Sequence, residues 1–108
     1  MTVKELADAL DLTPVALPDG EREVTGGYAG DLLSWVMGRA RSGDVWVTIM
    51  SNANVCAVAV LADTAAVVLA EGVTLEEDVI ELARTKSVNI LASQESAFTL
   101  CGKISALL

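Results

Sequence analysis

Residues 45–62 read Val-Trp-Val-Thr-Ile-Met-Ser-Asn-Ala-Asn-Val-Cys-Ala-Val-Ala-Val-Leu-Ala, without a single charge. The bulky, often β-branched residues at the start predict a buried strand over 45–50. The Ala- and Val-rich end predicts a short helix over 54–62. A membrane-spanning helix needs about 20 mostly apolar residues and tolerates polar side chains poorly at its centre, where 51–54 lie here. The stretch therefore predicts a strand, a loop and a helix.

Two further buried strands are predicted downstream, over 65–70 and 88–92. Between them, Thr74 and Glu77 have the spacing of a capping box, which marks the start of a helix. This helix is expected to bury four apolar residues, Leu75, Val79, Leu82 and Ala83. Strands that alternate with helices form right-handed βαβ units. We therefore expect a three-layer α/β/α fold with a mostly parallel sheet.

Three more helices are predicted. Thr2 can cap the first, and the second runs from Asp31 towards Gly43, a residue type at which helices commonly stop. The apolar face of the second helix is expected to contain Leu32, Leu33, Val36, Met37 and Ala40. The last helix is expected to be capped by Ser93 or Ser96 and to run through Phe98, Ile104 and Leu107.

The composition fits a single domain over residues 1–108. Hydrophobic residues make up 53% of the chain but aromatic residues only 4%, so the core must consist mainly of Ala, Val, Leu and Ile. Parallel strands covered on both faces have this composition. Short extended segments are also expected at 15–17 and 22–24, before the stronger pattern begins.

The net charge of −8 excludes several partners. The seven basic residues are scattered, whereas a nucleic-acid-binding protein needs a clustered basic face. The same acidity argues against binding to an anionic membrane surface.

Cys56 and Cys101 lie in apolar stretches, where a reduced, buried thiol is the ordinary occupant. The N-terminal residues do not resemble a signal peptide, so we expect a cytoplasmic protein.

No set of residues indicates catalysis. The chain has no histidine, which removes an imidazole base and a His-containing metal site. The segment 102–105 lacks the earlier glycine of a phosphate-binding loop, because position 97 is alanine. Five acidic residues lie close together in the sequence and are interpreted as the solvated start of a helix, not as a metal site. They are Glu71, Glu76, Glu77, Asp78 and Glu81. We expect no enzyme activity, no cofactor and no metal.

Thr25, Gly26 and Gly27 form the first candidate ligand site. Paired glycines let the backbone adopt unusual conformations and let another group approach closely. Free N–H groups at the start of a helix would attract a phosphate, so the segment could cradle an anion or a nucleotide. The alternative is a tight turn that fixes the start of the next helix, with Thr25 bonding locally.

A second candidate site follows the strand at 45–50 and contains Ser51, Asn52 and Asn54. Ligands of open α/β sheets bind outside the carboxyl ends of the strands. Either Asn52 or Asn54 could instead cap the following helix.

Of the two tryptophans, Trp46 is expected in the core, whereas Trp35 borders solvent and could anchor an interface or be partly buried within the monomer.

Four segments together resemble the DRTGG domain family. They are 23–27 (Glu-Val-Thr-Gly-Gly), 30–34 (Gly-Asp-Leu-Leu-Ser), 43–48 (Gly-Asp-Val-Trp-Val-Thr) and 96–98 (Ser-Ala-Phe). The Thr-Gly-Gly half of the name-giving motif is present and the Asp-Arg half is not. Domains of this kind are accessory modules in some pyrophosphatases that carry paired CBS domains and in some phosphate acetyltransferases. They also occur as short standalone proteins. The N-terminal domain of HPr kinase/phosphorylase has a related fold.

The resemblance implies a non-catalytic regulatory domain that senses a small metabolite such as a nucleotide. The alternative is a protein-interaction adaptor for a separately encoded enzyme, with no small-molecule ligand. A homodimer is expected in either case, because the apolar fraction is high for so small a domain and two-fold pairs are the commonest oligomers.

Overall fold

The computed structural model describes all 108 residues, which form five strands and five helices. The strands are β1 (Thr13–Ala16), β2 (Gly26–Ala29), β3 (Asp44–Thr48), β4 (Ala66–Leu69) and β5 (Ile90–Ala92). The helices are α1 (Val3–Leu10), α2 (Leu33–Arg39), α3 (Asn54–Ala62), α4 (Glu77–Thr85) and α5 (Ala97–Leu107). None of these helices is long and apolar enough to span a bilayer.

The five strands form one sheet in the order β1-β5-β4-β3-β2. Strands β2 to β5 are mutually parallel, and β1 joins β5 in the antiparallel direction, with an irregular register after Pro14. Helices α1 and α5 cover one face of the sheet, and α2, α3 and α4 cover the other. The predicted three-layer α/β/α fold with a mostly parallel sheet is therefore confirmed.

The central strands are buried on both faces, which explains their unbroken apolar sequences. Val45 and Val47 of β3 face α1 and α5, whereas Trp46 between them faces the other helix layer. Trp46 is fully buried, and its indole Nε1 donates a hydrogen bond to Gly30 O at 2.8 Å. The prediction that Trp46 belongs to the core is confirmed.

Asn89 is a buried polar residue at the start of β5, with 3% of its surface exposed. Its Oδ1 accepts from Asp19 N at 2.9 Å, and its Nδ2 donates to Asp19 O at 2.7 Å and to Ala65 O at 2.9 Å. One side chain thus ties the loop after β1 to the sheet and satisfies backbone groups that would otherwise lack partners.

Two capping predictions have opposite outcomes. Thr2 caps α1 and forms a full capping box, because Glu5 N donates to Thr2 Oγ1 and Thr2 N donates to Glu5 Oε1. The capping box predicted at Thr74–Glu77 is wrong: α4 begins only at Glu77, after Glu76, with no side-chain cap. Leu75 and Glu76, which the prediction placed in the first turn, remain in the loop.

The N-cap of α5 and the end of α2 differ in detail from the predictions. Ser96, not Ser93, caps α5 by accepting from Thr99 N at 3.2 Å. Helix α2 ends at Arg39, so Gly43 does not terminate it. Gly43 instead lies in the turn before β3, where its φ of +86° requires glycine.

The side chains that the helices bury are only partly those predicted, because the helices turn different faces towards the core. In α2 only Val36 is fully buried, while Leu32 and Met37 are at least half exposed. Helix α5 contains Phe98, Ile104 and Leu107 as predicted; Leu100 and Ile104 are its buried residues, whereas Phe98 and Leu107 face solvent. Of the four residues that the α4 prediction buried, Val79 and Ala83 are buried; Leu82, and Leu75 in the loop before the helix, are partly buried.

The early extended segments are only partly where they were predicted. The segment at 15–17 corresponds to β1, displaced by two residues at its start. The segment at 22–24 forms no strand and makes only an isolated bridge between Glu23 and Thr2. The second early strand lies further along the chain, over the glycine pair itself.

A groove beside the edge strand

The Thr25-Gly26-Gly27 segment is not a turn at the start of a helix. It leads into β2, the strand at one edge of the sheet, and α2 begins only at Leu33. Thr25 N donates to Gly43 O at 3.0 Å, and Thr25 Oγ1 donates to Ser42 O at 3.4 Å. Because no helix begins here, the predicted cradle of helix N-terminal amides is absent, and the turn alternative is wrong as well.

The two glycines have different roles in β2. A Cβ at Gly26 would lie 2.7 Å from Asp44 Oδ1, so this position cannot accept a larger residue without displacing that carboxylate. A Cβ at Gly27 would lie 3.6 Å from Val45 O, an ordinary contact distance. Gly26 is therefore required by close packing, whereas Gly27 leaves usable space.

That space is part of a groove of about 420 Å³ between β2 and α5. Gly27 and Ala29 pair in register with Val45 and Val47, so all four lie on the sheet face that α5 covers. Since the two β2 residues are small, they do not fill the space beside the helix. The groove is lined by Gly26, Gly27, Tyr28, Ala29, Val45, Val47, Cys101, Ile104, Ser105 and Leu108. Its volume falls within the range typical of small-molecule sites.

The polar groups of the groove come mainly from the backbone. Gly30 N donates to Val47 O at 3.1 Å, so Gly30 turns its backbone groups towards β3. Since neighbouring residues of a strand alternate, Gly27 and Ala29 turn their N–H and C=O groups outward, to the open edge of the sheet. The groove thus combines an apolar floor with unpaired donors and acceptors along one side.

No charged side chain lines the groove. Its hydroxyl belongs to Ser105 and its thiol to Cys101, because the Tyr28 side chain packs on the opposite face of the sheet; burial raises the pKa of the Cys101 thiol. A protonated thiol is a poor nucleophile. The groove is suited to a flat, uncharged group that stacks on the glycine floor, while a phosphate would have to remain outside it.

The second predicted set lies at the other end of the sheet. Gly26 pairs with Asp44 at the amino end of β3, whereas Ser51, Asn52 and Asn54 follow its carboxyl end. All three are exposed, and Asn52 Oδ1 accepts from Asn54 N at 2.9 Å, which supports the start of α3. The structure therefore does not bring the two candidate sets together.

Asp31, which no sequence pattern indicated, organises this carboxyl end. Its Oδ1 accepts from Thr48 Oγ1 at 2.8 Å and from Ile49 N at 2.9 Å. The carboxylate thereby joins the loop after β2 to the end of β3. A lone aspartate before a helix gives no sequence signal for such a contact.

Trp35 lies on the surface of α2 and is 51% exposed. The Arg39 guanidinium stacks over its ring, 3.7 Å from the ring centroid, in a cation–π contact. One face of the indole is therefore covered by the chain itself, and the rest is available to solvent.

The amino end of the sheet carries a polar network that was also missed. Arg22 Nη1 donates to Asp63 Oδ1 at 3.1 Å, and the Ser42 hydroxyl donates to Asp63 Oδ2. The Ser42 hydrogen bond, followed by the contact with Arg22, holds the pKa of Asp63 below its ordinary value. No group of three or more His, Cys, Asp or Glu side chains in the chain could hold a metal ion.

Comparison with known proteins agrees with the resemblance noted in the sequence. The chain matches the family model of the DRTGG domain over residues 29–107, a range that begins after Gly27. Comparison with curated proteins gives no significant match.

Among solved structures, the fold is similar to the CBS and DRTGG domains of the regulatory region of Clostridium perfringens pyrophosphatase, complexed with the activator diadenosine tetraphosphate. The TM-score is 0.70 and the sequence identity 14%. The match covers 92% of this chain and 44% of the other, so this chain spans less than half of that regulatory region.

Proposed function

Because the chain belongs to the DRTGG domain family, we propose that it is a non-catalytic regulatory domain that binds a small metabolite, such as a nucleotide, and pairs with a second copy of itself. The observation that carries this proposal is the groove of about 420 Å³ over Gly27 and Ala29. The similar pyrophosphatase structure belongs to the regulatory region of an enzyme and contains a dinucleotide activator, which supports a ligand of this class.

The base is the part of a nucleotide that fits the groove. A planar ring can lie on Gly27, where no side chain intervenes, and Val45 and Ile104 supply apolar contacts. The Ser105 hydroxyl and the Cys101 thiol, on the α5 side of the groove, can form hydrogen bonds with the edge of the ring. Phosphates would extend into solvent, since no Lys or Arg lines the groove.

Among the residues proposed from the sequence, Gly26 and Gly27 take part directly, and Thr25 supports the start of β2. Ser51, Asn52 and Asn54 constitute a separate candidate site at the carboxyl end of β3. The same ligand experiments test both sites, because substitutions at Gly27 and at Asn52 affect regions at opposite ends of the sheet.

A regulatory role is favoured over catalysis by the chemistry of the lining. Ser105 and Cys101 have no carboxylate beside them in the groove, and burial raises the pKa of the Cys101 thiol. A hydroxyl or thiol without an adjacent base is a weak nucleophile. Binding without turnover is what such a lining supports.

A thermal-shift screen tests the proposal, with adenine nucleotides, dinucleotides, coenzyme A and acyl phosphates as ligands. A ligand at about 100 times its Kd stabilises the folded chain by about 2.7 kcal/mol, which at this size raises the Tm by roughly 10 °C. A hit that is lost in Gly27→Val and retained in Asn52→Ala supports the groove. No shift with any compound, or a hit lost only in Asn52→Ala, would overturn it.

The exposed apolar residues favour a second candidate function, a protein-interaction adaptor for a separately encoded enzyme. Trp35 is 51%, Leu61 71% and Phe98 90% exposed, and such large side chains can act as anchors of interfaces. This function predicts that a cognate enzyme co-purifies with the chain and that Trp35→Ala weakens the complex. If Trp35→Ala leaves the complex unchanged, Trp35 is not its anchor.

A further inference from the structure

The two edges of the sheet differ in how they are protected. Strand β1 carries Pro14 and an irregular register, both of which discourage pairing with another strand. Strand β2 has no proline, no charge and no bulge, and the outward N–H and C=O groups of Gly27 and Ala29 are unpaired. Natural proteins rarely leave such an edge open, so this strand is suited to receive another strand.

The charge distribution indicates which molecule could supply that strand. A chain of net charge −8 repels a second copy wherever acidic side chains meet. The segments 24–30 and 97–108, which form β2 and α5, contain none of the 15 Asp and Glu residues. Their single charged side chain, Lys103, pairs with Glu95. This surface is therefore one on which two copies can meet without repulsion.

Helix α5 beside this edge has features that its own domain does not explain. Phe98 is 90% exposed, and a second apolar residue of the helix, Leu107, also faces solvent. Gly102 lies within the helix, although nothing lies within 4 Å of a Cβ placed there. A glycine inside a helix costs about 0.5–1 kcal/mol relative to alanine, and here the monomer gains no contact in return.

We propose that a second copy of this chain pairs with β2, strand to strand and antiparallel about a two-fold axis, and that the two α5 helices pack side by side over the joined edge. Neighbouring strands lie about 4.8 Å apart, and α5 packs on both β2 and β3. The two α5 axes are then separated by roughly 10 Å, which is the usual distance between packed helices. Hydrogen bonding and helix packing are thus satisfied by one arrangement.

The pairing has a consequence for the groove, and this step rests on the proposed function. The groove lies between α5 and the open edge, so the partner's sheet continues its floor and the partner's α5 closes its open side. Each groove is therefore half of a shared site. A ligand bound there contacts both copies and strengthens the dimer, and by linkage the dimer binds the ligand more tightly than the monomer does.

Ala29→Pro tests the strand pairing. Proline removes the outward N–H at this edge but not the hydrogen bonds of β2 to β3, which come from the neighbouring residues. The matched control is Ala29→Ser, which keeps the N–H and nearly the same volume. Sedimentation velocity should give the wild type and Ala29→Ser twice the chain mass of 11.2 kDa. Ala29→Pro should weaken the dimer by at least about tenfold, since each copy loses a donor.

Phe98→Asp is a second variant that tests the helix contact, because a residue 90% exposed in the monomer can be changed without disturbing the fold. We expect it to weaken the dimer as well, while its circular dichroism and Tm extrapolated to low concentration match the wild type. A wild type that is monomeric at high micromolar concentration would overturn the inference. So would a dimer that Ala29→Pro and Phe98→Asp both leave intact.

Ligand binding separates this inference from the proposed function. Phe98 does not line the groove, so if monomeric Phe98→Asp binds the screened nucleotide with wild-type affinity, the groove is a complete site in one copy, and sharing is wrong while metabolite binding stands. If Ala29→Pro dissociates the dimer but no compound binds the wild type, the strand pairing stands and metabolite binding fails.

Discussion

Replacing Gly27 by valine is expected to stabilise the domain and to block the groove at the same time. The new Cβ meets only Val45 O at 3.6 Å, and the backbone at this position needs no positive φ. Valine in place of glycine in a strand contributes about 0.5–1 kcal/mol through reduced backbone entropy. Burying about half of the side chain against Val45 and Ile104 contributes roughly 1 kcal/mol more. At about 4 °C per kcal/mol, the Tm should rise by about 6–8 °C.

Differential scanning calorimetry with and without ligand measures both effects. The control is Gly38→Ala in α2, where nothing lies within 4 Å of the added Cβ, so this variant should gain up to about 1 kcal/mol and keep the ligand response. Gly27→Val should be more stable than the wild type and should not respond to ligand. A lower Tm for Gly27→Val, or a ligand response equal to that of the wild type, refutes this account of the groove.

Three further predictions concern the rest of the domain. Asn89→Leu should lower the free energy of unfolding by about 2–4 kcal/mol in urea titrations, because it leaves buried backbone groups without partners; a loss below 1 kcal/mol would contradict the role of these hydrogen bonds. The pKa of Asp63 is lowered by the hydrogen bond from Ser42, so its stabilising contribution is present above the ordinary value of 3.8 and is lost as the pH falls below it. Asp63→Asn should therefore reduce the drop in urea midpoint between about pH 5 and pH 3, and an unchanged drop would count against the assignment. Cys101, which is partly exposed in the groove, should react with a thiol reagent faster than buried Cys56, and saturating ligand should slow Cys101 alone; equal rates for the two thiols would disagree with their burial.

The sequence was most informative where local pattern and tertiary environment agree. Helix α3 was predicted at its observed limits, 54–62. An Ala- and Val-rich run that follows polar residues is compatible with few secondary structures other than a short buried helix. The strands at 45, 65 and 88 were found for a similar reason: burial on both faces leaves long apolar runs. These elements determine the parallel sheet and hence the fold class.

Predictions failed where contacts distant in sequence decide the structure. The glycine pair was interpreted as an anion cradle or a turn because paired glycines allow unusual backbone conformations, yet pairing with β3 makes 26–29 a strand. The capping box at Thr74–Glu77 matched its pattern, but α4 starts at Glu77 instead. Leu32 and Met37 were expected on the apolar face of α2, but both are at least half exposed and only Val36 is fully buried.

The candidate site was predicted only in part for the same reason. Gly26 and Gly27 were selected from local sequence and do line the groove. The other wall comes from Cys101, Ile104 and Ser105, which are far away in the sequence and carry no motif. A groove made by small residues in one element and a helix at the far end of the chain can be recognised only once both are placed on the same sheet face.

The most direct test of the central claim is an amide NMR titration of the ¹⁵N-labelled chain with the nucleotide that gives the largest thermal shift. If the groove binds the ligand, the largest chemical-shift changes should occur at the Gly27 and Ala29 amides and at Cys101 and Ser105 across the groove. Changes confined to residues 51–54, or no saturable change at any amide, would contradict the claim that this domain senses a metabolite between β2 and α5.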